Sequence, residues 1–254
     1  MTVELVKVED NGAIRTLTLN SPANRNALSM LLLQELARGL EDASADTGVR
    51  AIVLTGSGTV FCSGADLSER DASAPNLLPE ILTSIARSRA PVIARVNGHA
   101  RGGGLGLIAI ADMAVAPASS TFAFSEVRVG VAPAMILVPA LRVTARRFLA
   151  RMTLTGEQFS ADDAVHGGLL TAVVADEREL DDWVDRETAS LLKSAPGAVA
   201  ATKALLASLP DADWAPGLSM AKERSAELFA GPEATEGMDA FRTKRRPAWD
   251  ATTR

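Results

Sequence analysis

The first part of the chain alternates between strand-like and helix-like hydrophobic patterns. Residues 3–8 and 14–19 are rich in β-forming residues and flank an Asn-Gly dipeptide, which suits the positive φ angles of a tight turn, so we expect a β-hairpin. From Ser29, a typical helix N-cap, the apolar positions recur at helical spacing. A continuous, mostly apolar run at 50–55 then predicts a buried strand.

The same alternation continues into the middle of the chain, whereas the C-terminal part is mostly helical. We expect helices at 77–87 and 103–111, and strands at 92–96 and 113–116. Beyond Pro133 the pattern predicts helices at 133–141, 144–152, 160–166, 177–194, 197–209 and 216–229, with one strand at 169–175. Strands that alternate with helices form a mainly parallel sheet covered by helices. We therefore predict an α/β core over residues 1–195 and a helical region over residues 196–254.

The composition narrows the range of functions. The chain has 254 residues with 26 Lys and Arg against 31 Asp and Glu, and the net charge of -5 repels a polyanion such as nucleic acid. Cys62 is the single cysteine, so an intrachain disulfide is excluded and a reducing compartment is expected. The start of the chain lacks the pattern of a signal peptide, and Asp112 interrupts the longest apolar run. We expect a cytoplasmic protein with neither a nucleic-acid nor a membrane partner.

Two glycine-bearing loops follow predicted strands, at 61–67 and 97–106. We expect each loop to open a helix and to offer unpaired backbone N–H groups at the positive end of its dipole, with Asp66 capping the first helix near Ala65. Two such ends meeting at one carbonyl oxygen would stabilise the negative charge that develops there. Either loop alone favours an ordinary strand-to-helix turn. Residues 104–109 also match the pattern G-x-G-x-x-A, but they lie too far beyond the strand to favour dinucleotide binding.

Glu126 is the strongest candidate for proton transfer. It lies in the largely apolar segment 121–130, where burial would raise the pKa of its carboxyl group toward the working pH of an acid–base catalyst. A salt bridge with Arg128 is an equally good interpretation. His99 and His166 are expected to be loop or surface residues. Because the chain has no Cys/His cluster, no metal site is expected.

Three segments occur in a characteristic order. They are Phe-Cys-Ser-Gly-Ala-Asp-Leu at 61–67, Val-Asn-Gly-His-Ala-Arg-Gly-Gly-Gly-Leu-Gly-Leu at 96–107 and Phe-Ser-Glu-Val-Arg-Val-Gly-Val-Ala-Pro-Ala at 124–134. With Asn-Arg-Asn-Ala-Leu-Ser at 24–29 and Phe-Arg-Thr-Lys-Arg at 241–245, they resemble the enoyl-CoA hydratase/isomerase (crotonase) superfamily over nearly the whole chain. The resemblance implies an α/β fold, a crotonase-like spiral of ββα turns with a C-terminal helical trimerisation region, assembled as a homotrimer or homohexamer.

The resemblance also implies site residues. The N–H groups of Ala65 and Gly103 would hold the thioester oxygen of an acyl-CoA, and Glu126 would be the catalytic carboxylate. Gly106 occupies the position of a second family glutamate, a single-glutamate pattern similar to methylglutaconyl-CoA-type hydratases. Coenzyme A, as part of the substrate and not a separate cofactor, would contact Arg25, Ala27, Leu28, Ser63, Gly64, Asp66, Leu67, Phe241 and Lys244. Phe241 and Lys244 would lie at the 3′-phosphoadenosine, either of the same subunit or of a neighbouring one.

Three functions fit these residues. The first is hydration of a 2-enoyl-CoA in fatty acid metabolism, with Glu126 handling both the water and the α-proton. The second is a Δ3,Δ2-enoyl-CoA isomerase in which Glu126 is the sole base. The third is a non-catalytic acyl-CoA-binding protein, because Gly106 leaves the site without a second carboxylate. Segment 69–79 is expected to shape the acyl pocket.

Overall fold

The computed structural model describes residues 4–69 and 77–251. Residue 3 of the predicted hairpin and residues 70–76 of the predicted pocket segment lie outside them. The strands are β1 (Val6–Asn11), β2 (Ile14–Leu19), β3 (Ala51–Gly56), β4 (Val60–Cys62), β5 (Val92–Arg95), β6 (His99–Arg101), β7 (Met113–Pro117), β8 (Thr121–Ala123), β9 (Phe159–Ser160) and β10 (Ala172–Val174). The α-helices are α1 (Met30–Ala45), α2 (Leu78–Arg87), α3 (Gly103–Ile110), α4 (Ala134–Val143), α5 (Arg146–Thr155), α6 (Ala161–His166), α7 (Glu177–Leu192), α8 (Pro196–Ser208), α9 (Trp214–Phe229) and α10 (Pro232–Thr243).

The strands of the described residues form two sheets joined by repeated β-β-α turns. The larger sheet has the order β1-β2-β3-β5-β7-β10 and is parallel except for the β1–β2 hairpin. The smaller sheet has the order β4-β6-β8-β9. Each of β3, β5 and β7 is followed by one short strand of the smaller sheet. This architecture and the helical C-terminal region confirm the predicted fold class.

Strand β3 shows why the central strands are apolar throughout. Ile52 and Leu54 face the main hydrophobic core, whereas Val53 faces a second cluster with Leu180 and Trp183 of α7. Because successive side chains of a strand point to opposite faces, a strand covered on both faces reads as a continuous apolar run. The prediction of a buried strand at this place is confirmed.

The sequence analysis missed several short elements. Strands β4, β6 and β8 have three residues each; the sequence analysis predicted loops around β4 and β6 and assigned no element to β8. Period-2 alternation needs about four residues to be recognised, so such strands are defined by their pairing partners rather than by their own sequence. Helix α10 was also missed. The hairpin is displaced, since β1 runs on to Asn11, which pairs with Ile14.

An ion pair between a buried lysine and a more exposed aspartate anchors the C-terminal helices to the core. Lys203 of α8 is 7% exposed, and its Nζ donates to Asp112 Oδ2 at 2.7 Å, just before β7. The same Asp112 oxygen accepts from Val92 N at 2.7 Å. Burial lowers the pKa of the Lys203 ammonium, and the Asp112 carboxylate opposes that shift. Removing one partner of such a pair leaves an uncompensated buried charge.

The division of the chain into a core over residues 1–195 and a helical region over residues 196–254 stays a prediction.

Helices α3 and α4 pack together at a glycine. A Cβ atom on Gly106 would lie 2.6 Å from Cγ2 and 3.1 Å from Cβ of Ile136, which is buried in α4. Real Cβ atoms do not approach other atoms so closely. The close approach of these two helices therefore requires a residue without a side chain at position 106.

No helix of the described residues is long and apolar enough to cross a membrane.

Gly106→Ala should destabilise the protein, although alanine is the better helix former. We expect a net loss of up to about 2 kcal/mol in the free energy of unfolding, since overpacking costs about 1–3 kcal/mol and helix propensity returns about 1 kcal/mol. Urea unfolding measures this change. The matched control is Gly217→Ala in α9, where the nearest atom lies at an ordinary 3.4 Å, and this variant should be as stable as the parent or more so. Equal losses at the two positions would contradict the packing argument.

Candidate active site

A large cavity opens between the two sheets' loops and the helices that follow them. Its volume is about 1150 Å³. The described residues that line it come from the start of α1, the loop after β4, the start of α3 and the segment from Ser125 to α4. They include Leu28, Met30, Leu33, Gln34, Ser63, Gly64, Ala65, Asp66, Leu67, Ser68, Glu69, Leu77, Leu78, Gly102, Gly103, Ser125, Glu126, Val129, Val131 and residues 132–136. Such a volume accommodates a small-molecule substrate.

Two loops meet in this cavity through their glycines. A Cβ atom on Gly64 would lie 3.1 Å from the Arg101 carbonyl oxygen and 3.4 Å from Gly102 Cα. Gly64 has φ +91° and Gly102 has φ +49°, a region that side-chain-bearing residues rarely adopt. The contact therefore needs glycine on both sides, for space and for conformation. It brings Ala65 and Gly103, the next residue of each loop, to the same wall of the cavity.

The backbone N–H groups of these two residues are free. Leu28 N donates to Gly64 O at 2.8 Å and Asp66 N donates to Leu28 O at 3.4 Å, so the residues on either side of Ala65 pair with Leu28, while Ala65 N has no acceptor among the described residues. Gly103 is the first residue of α3, where an N–H group has no acceptor within the helix. Neither N–H donates a hydrogen bond to any described residue. Both are available to a carbonyl oxygen in the cavity.

Both glycine-bearing loops were predicted to open a helix, and among the described residues only the second one does. Gly103 begins α3 as expected, but the prediction of a helix near Ala65 capped by Asp66 is wrong. Asp66 Oδ1 instead accepts from Ser68 N at 2.9 Å and from Ser68 Oγ at 2.7 Å, which closes a local turn. These hydrogen bonds lower the pKa of the Asp66 carboxyl. Aspartate forms such turns as readily as it caps helices, so the sequence did not distinguish them.

The Glu126 carboxylate faces the same cavity. It lies on a short 3-10 turn after β8, half-buried, and burial raises the pKa of its carboxyl group. Its Oε2 is buried and has no hydrogen-bond partner among the described residues. Its Oε1 lies 3.3 Å from the position a Cβ atom of Gly102 would occupy. Arg128 Nε donates to the Thr155 carbonyl oxygen, so the predicted alternative, a Glu126–Arg128 salt bridge, is wrong.

The two histidines and the cysteine do not line the cavity. His99 Nδ1 is hydrogen-bonded to Thr121, and His166 Nδ1 to the Asp162 carbonyl oxygen. Cys62 is fully buried, and burial raises the pKa of its thiol to about 12. Among the residues that the structure describes, no group of His, Cys, Asp and Glu is arranged to hold a metal ion.

Some of the residues predicted to contact coenzyme A line the cavity, and others do not. Five of them line the cavity, namely Leu28, Ser63, Gly64, Asp66 and Leu67. Arg25 and Ala27 do not line it but belong to the loop beside it, and Ser63 N donates to the Arg25 carbonyl oxygen at 3.1 Å. Phe241 and Lys244 lie at the end of α10 and do not line this cavity; Phe241 is 88% exposed. Their contact with a nucleotide in a neighbouring subunit stays a prediction.

Asn26 is a supporting residue that the sequence analysis did not identify. It is fully buried, with φ +54°. Its Nδ2 donates to the carbonyl oxygens of Ser57 and Val60, and its Oδ1 accepts from Ser21 N. These bonds fix the loop before α1 against β3 and β4. Asparagine is enriched at positive φ, but the sequence alone did not show which turn would need it.

Comparison with known proteins agrees with this geometry. The sequence profile of the family described as enoyl-CoA hydratase/isomerase matches residues 9–252. A probable enoyl-CoA hydratase of Rhizobium meliloti is 34% identical, over 97% of this chain and 98% of its own length. The 2,3-dehydroadipyl-CoA hydratase of Escherichia coli is 32% identical, over 91% and 92% of the two chains. The crystal structure of an enoyl-CoA hydratase from Mycobacterium smegmatis superposes with a TM-score of 0.90 at 36% identity, over 96% of this chain and 98% of that one. A match of sequence and fold over almost the full length of each protein means that this chain belongs to the enoyl-CoA hydratase/isomerase family, as a hydratase-like enzyme.

Proposed function

We propose that this protein adds water across the C2–C3 double bond of a 2-enoyl-CoA thioester, with one glutamate and two backbone N–H groups. The observation that carries the proposal is the shared cavity of Glu126, Ala65 and Gly103. A buried carboxylate oxygen without a partner among the described residues is costly to keep in a folded protein unless a ligand uses it. Together with the two N–H groups, this oxygen matches the needs of an acyl thioester reaction.

The two N–H groups act on the thioester carbonyl oxygen. When water attacks C3, the electron pair of the double bond moves toward the carbonyl, and negative charge develops on its oxygen. The N–H groups of Ala65 and Gly103 stabilise that charge without having to reorient, and one such donor contributes about 3–4 kcal/mol to transition-state stabilisation. The rigid contact between Gly64 and Gly102 supports their convergence.

Glu126 handles the protons. One carboxylate oxygen takes a proton from the attacking water, whose oxygen bonds to C3, and the carboxyl returns a proton to C2. The product is a 3-hydroxyacyl-CoA, and Glu126 ends in its starting ionisation state. A carboxyl whose pKa is raised by burial is a stronger base than an ordinary glutamate, which suits proton transfer near neutral pH.

Glu126 differs from the other acids that line the described part of the cavity. Asp66 accepts hydrogen bonds from Ser68, and Glu69 Oε2 accepts from Met30 N at 2.7 Å. Glu126 Oε2 has no such bond among the described residues. We therefore assign the whole of the proton transfer to this one side chain.

The single carboxylate also favours a second reaction class. Gly106 lies against Ile136 with no room for a side chain, so a second acid is not supplied from α3. Moving a double bond between C3 and C2 needs only one base, which makes a Δ3,Δ2-enoyl-CoA isomerase the second candidate. A non-catalytic acyl-CoA-binding protein is the third. All three bind the same class of ligand.

We propose that coenzyme A binds along the loop that contains Arg25, Ala27 and Leu28 and along residues 63–67. We also propose that the protein assembles as a homotrimer or homohexamer and that it is cytoplasmic. Large exposed apolar side chains on the C-terminal helices support self-association, because such groups on a monomer mark interaction surfaces. They include Trp214, Phe229 and Phe241.

Isotope labelling distinguishes the three functions. Incubation with crotonyl-CoA in ¹⁸O-labelled water should give 3-hydroxybutyryl-CoA that carries the label at C3, read by mass spectrometry. Conversion of a 3-enoyl-CoA to the 2-enoyl-CoA without labelled product would instead identify the isomerase. Tight acyl-CoA binding without turnover of either substrate would identify the binding protein and reject the proposed hydration.

Glu126→Gln should lose activity and gain stability. We expect kcat for crotonyl-CoA to fall by about 100-fold or more, the usual contribution of a general acid–base group. Burial raises the pKa of Glu126, so ionising this carboxyl lowers the free energy of unfolding once the pH exceeds the ordinary pKa of glutamate. Glutamine does not ionise and removes that cost. Tm should therefore be higher in the variant at pH 8 and equal to the parent at pH 4. Nearly full turnover by the variant would reject the assignment of Glu126.

The pH dependence of kcat/KM should report the raised pKa of Glu126. Catalysis needs the ionised carboxylate, so activity is lost as the pH falls through the pKa of the folded protein. The acid limb should lie at higher pH than the ordinary glutamate value of about 4.3. Initial rates at constant ionic strength between pH 4 and pH 8 measure it. A midpoint at or below that ordinary value would contradict the predicted effect of burial.

A further inference from the structure

Two short strands carry the two halves of the site. Strand β6 ends at Arg101 and runs directly into Gly102 and Gly103, while β8 ends at Ala123, three residues before Glu126. The ladder between them joins only two residue pairs, Ala100 with Phe122 and Arg101 with Ala123. The relative position of the free N–H and the carboxylate therefore depends on a very short strand pairing.

The Arg101 side chain lies across this pairing. Its Nη1 donates to the Thr121 carbonyl oxygen at 2.5 Å and to the Ala100 carbonyl oxygen at 2.8 Å. Its Nη2 donates to Thr121 Oγ1 at 2.9 Å and to Gln158 Oε1, just before β9, at 2.8 Å. One guanidinium thus binds β6, β8 and the residue that precedes β9. These bonds add to the two-pair ladder on the side of the site.

Electrostatics separates Arg101 from an ordinary surface cation. All four of its hydrogen-bond acceptors are neutral, and among the described residues no carboxylate forms an ion pair with it. Burial lowers the pKa of its guanidinium, with no charged group offsetting the shift. Lysine would not reproduce this arrangement, because only the planar guanidinium presents several donors in fixed directions. The number and direction of the donors, not ion pairing, account for its place here.

We propose that Arg101 is a positioning residue for the reaction: it holds the strand that leads to Glu126 in register with the strand that leads to the Gly103 N–H. The proposal rests on the proposed function, since it assigns Arg101 a role in the geometry of that same site. Arg101 is not among the residues that line the cavity, so its effect on the reaction would be indirect. It acts through Thr121 at the start of β8, whose carbonyl oxygen and Oγ1 both accept hydrogen bonds from the guanidinium.

Arg101→Met removes the guanidinium and keeps an unbranched side chain. We expect kcat for crotonyl-CoA to fall by about tenfold to a hundredfold with KM nearly unchanged, because a displacement of about 1 Å between reacting groups has effects of this size. Arg101→Lys should not restore kcat. Thr121→Val, which removes one acceptor and is less disruptive, should lower kcat by a smaller factor, and the two changes should be non-additive when combined.

Arg95→Met is the matched control. Arg95 lies on β5, is also largely buried, and binds Thr55 together with the acids of α7, away from the cavity. Its loss should lower Tm without lowering kcat per folded molecule. If Arg101→Met likewise lowered Tm alone, Arg101 would be structural and the proposal would be wrong.

A crystal structure of Arg101→Met, or of Thr121→Val if the first variant fails to fold, tests the positioning without turnover. The Glu126 carboxylate should be displaced from Gly103 N relative to the parent structure. An unchanged distance would overturn the proposal, whether or not the parent hydrates crotonyl-CoA. Absence of hydration by the parent would count against the proposed function alone, so the two failures are distinguishable.

Discussion

The backbone contact between Gly64 and Gly102 is the constraint on which the rest of the site depends. Two loops from different turns of the chain approach until a Cβ atom on Gly64 would lie 3.4 Å from Gly102 Cα. Both glycines have positive φ, so the space and the conformation each require them. Ala65 and Gly103 follow these two glycines in sequence and line the cavity, and Glu126 Oε1 lies 3.3 Å from the position that a Cβ atom of Gly102 would occupy.

The surrounding fold maintains an unfavourable group beside this contact. Burial of the Glu126 carboxylate raises its pKa, and the lack of a partner for Oε2 among the described residues adds to the cost in free energy. The large sheet offsets these costs, because β3 and its neighbours are covered on both faces by apolar clusters. The small sheet is made of strands of two or three residues, but it joins the same main core through Phe61, Phe122 and Phe159. Both sheets therefore contribute to the packing that supports the site.

Long apolar elements were predictable from sequence, whereas the details of the site were only partly so. The run at β3 and the Ser29 cap of α1, whose Oγ accepts from Leu32 N, are local features that hydrophobic spacing and capping rules capture. The two glycine loops were also identified. The three-residue strands were not, because their conformation is decided by partners distant in sequence, and the turn at Asp66 was not, because aspartate also caps helices. The free state of Glu126 Oε2 was likewise open, since only the fold shows that Arg128 turns toward Thr155.

The packing of Gly106 against Ile136 has an evolutionary consequence. Any side chain at position 106 collides with a β-branched residue in the neighbouring helix, so an acid there is accessible only after residue 136 has become smaller. Shrinking residue 136 first would open a void in the cavity wall and weaken the protein before any benefit appears. The two positions are therefore expected to be coupled, so that an acid at position 106 would require a compensating change at position 136.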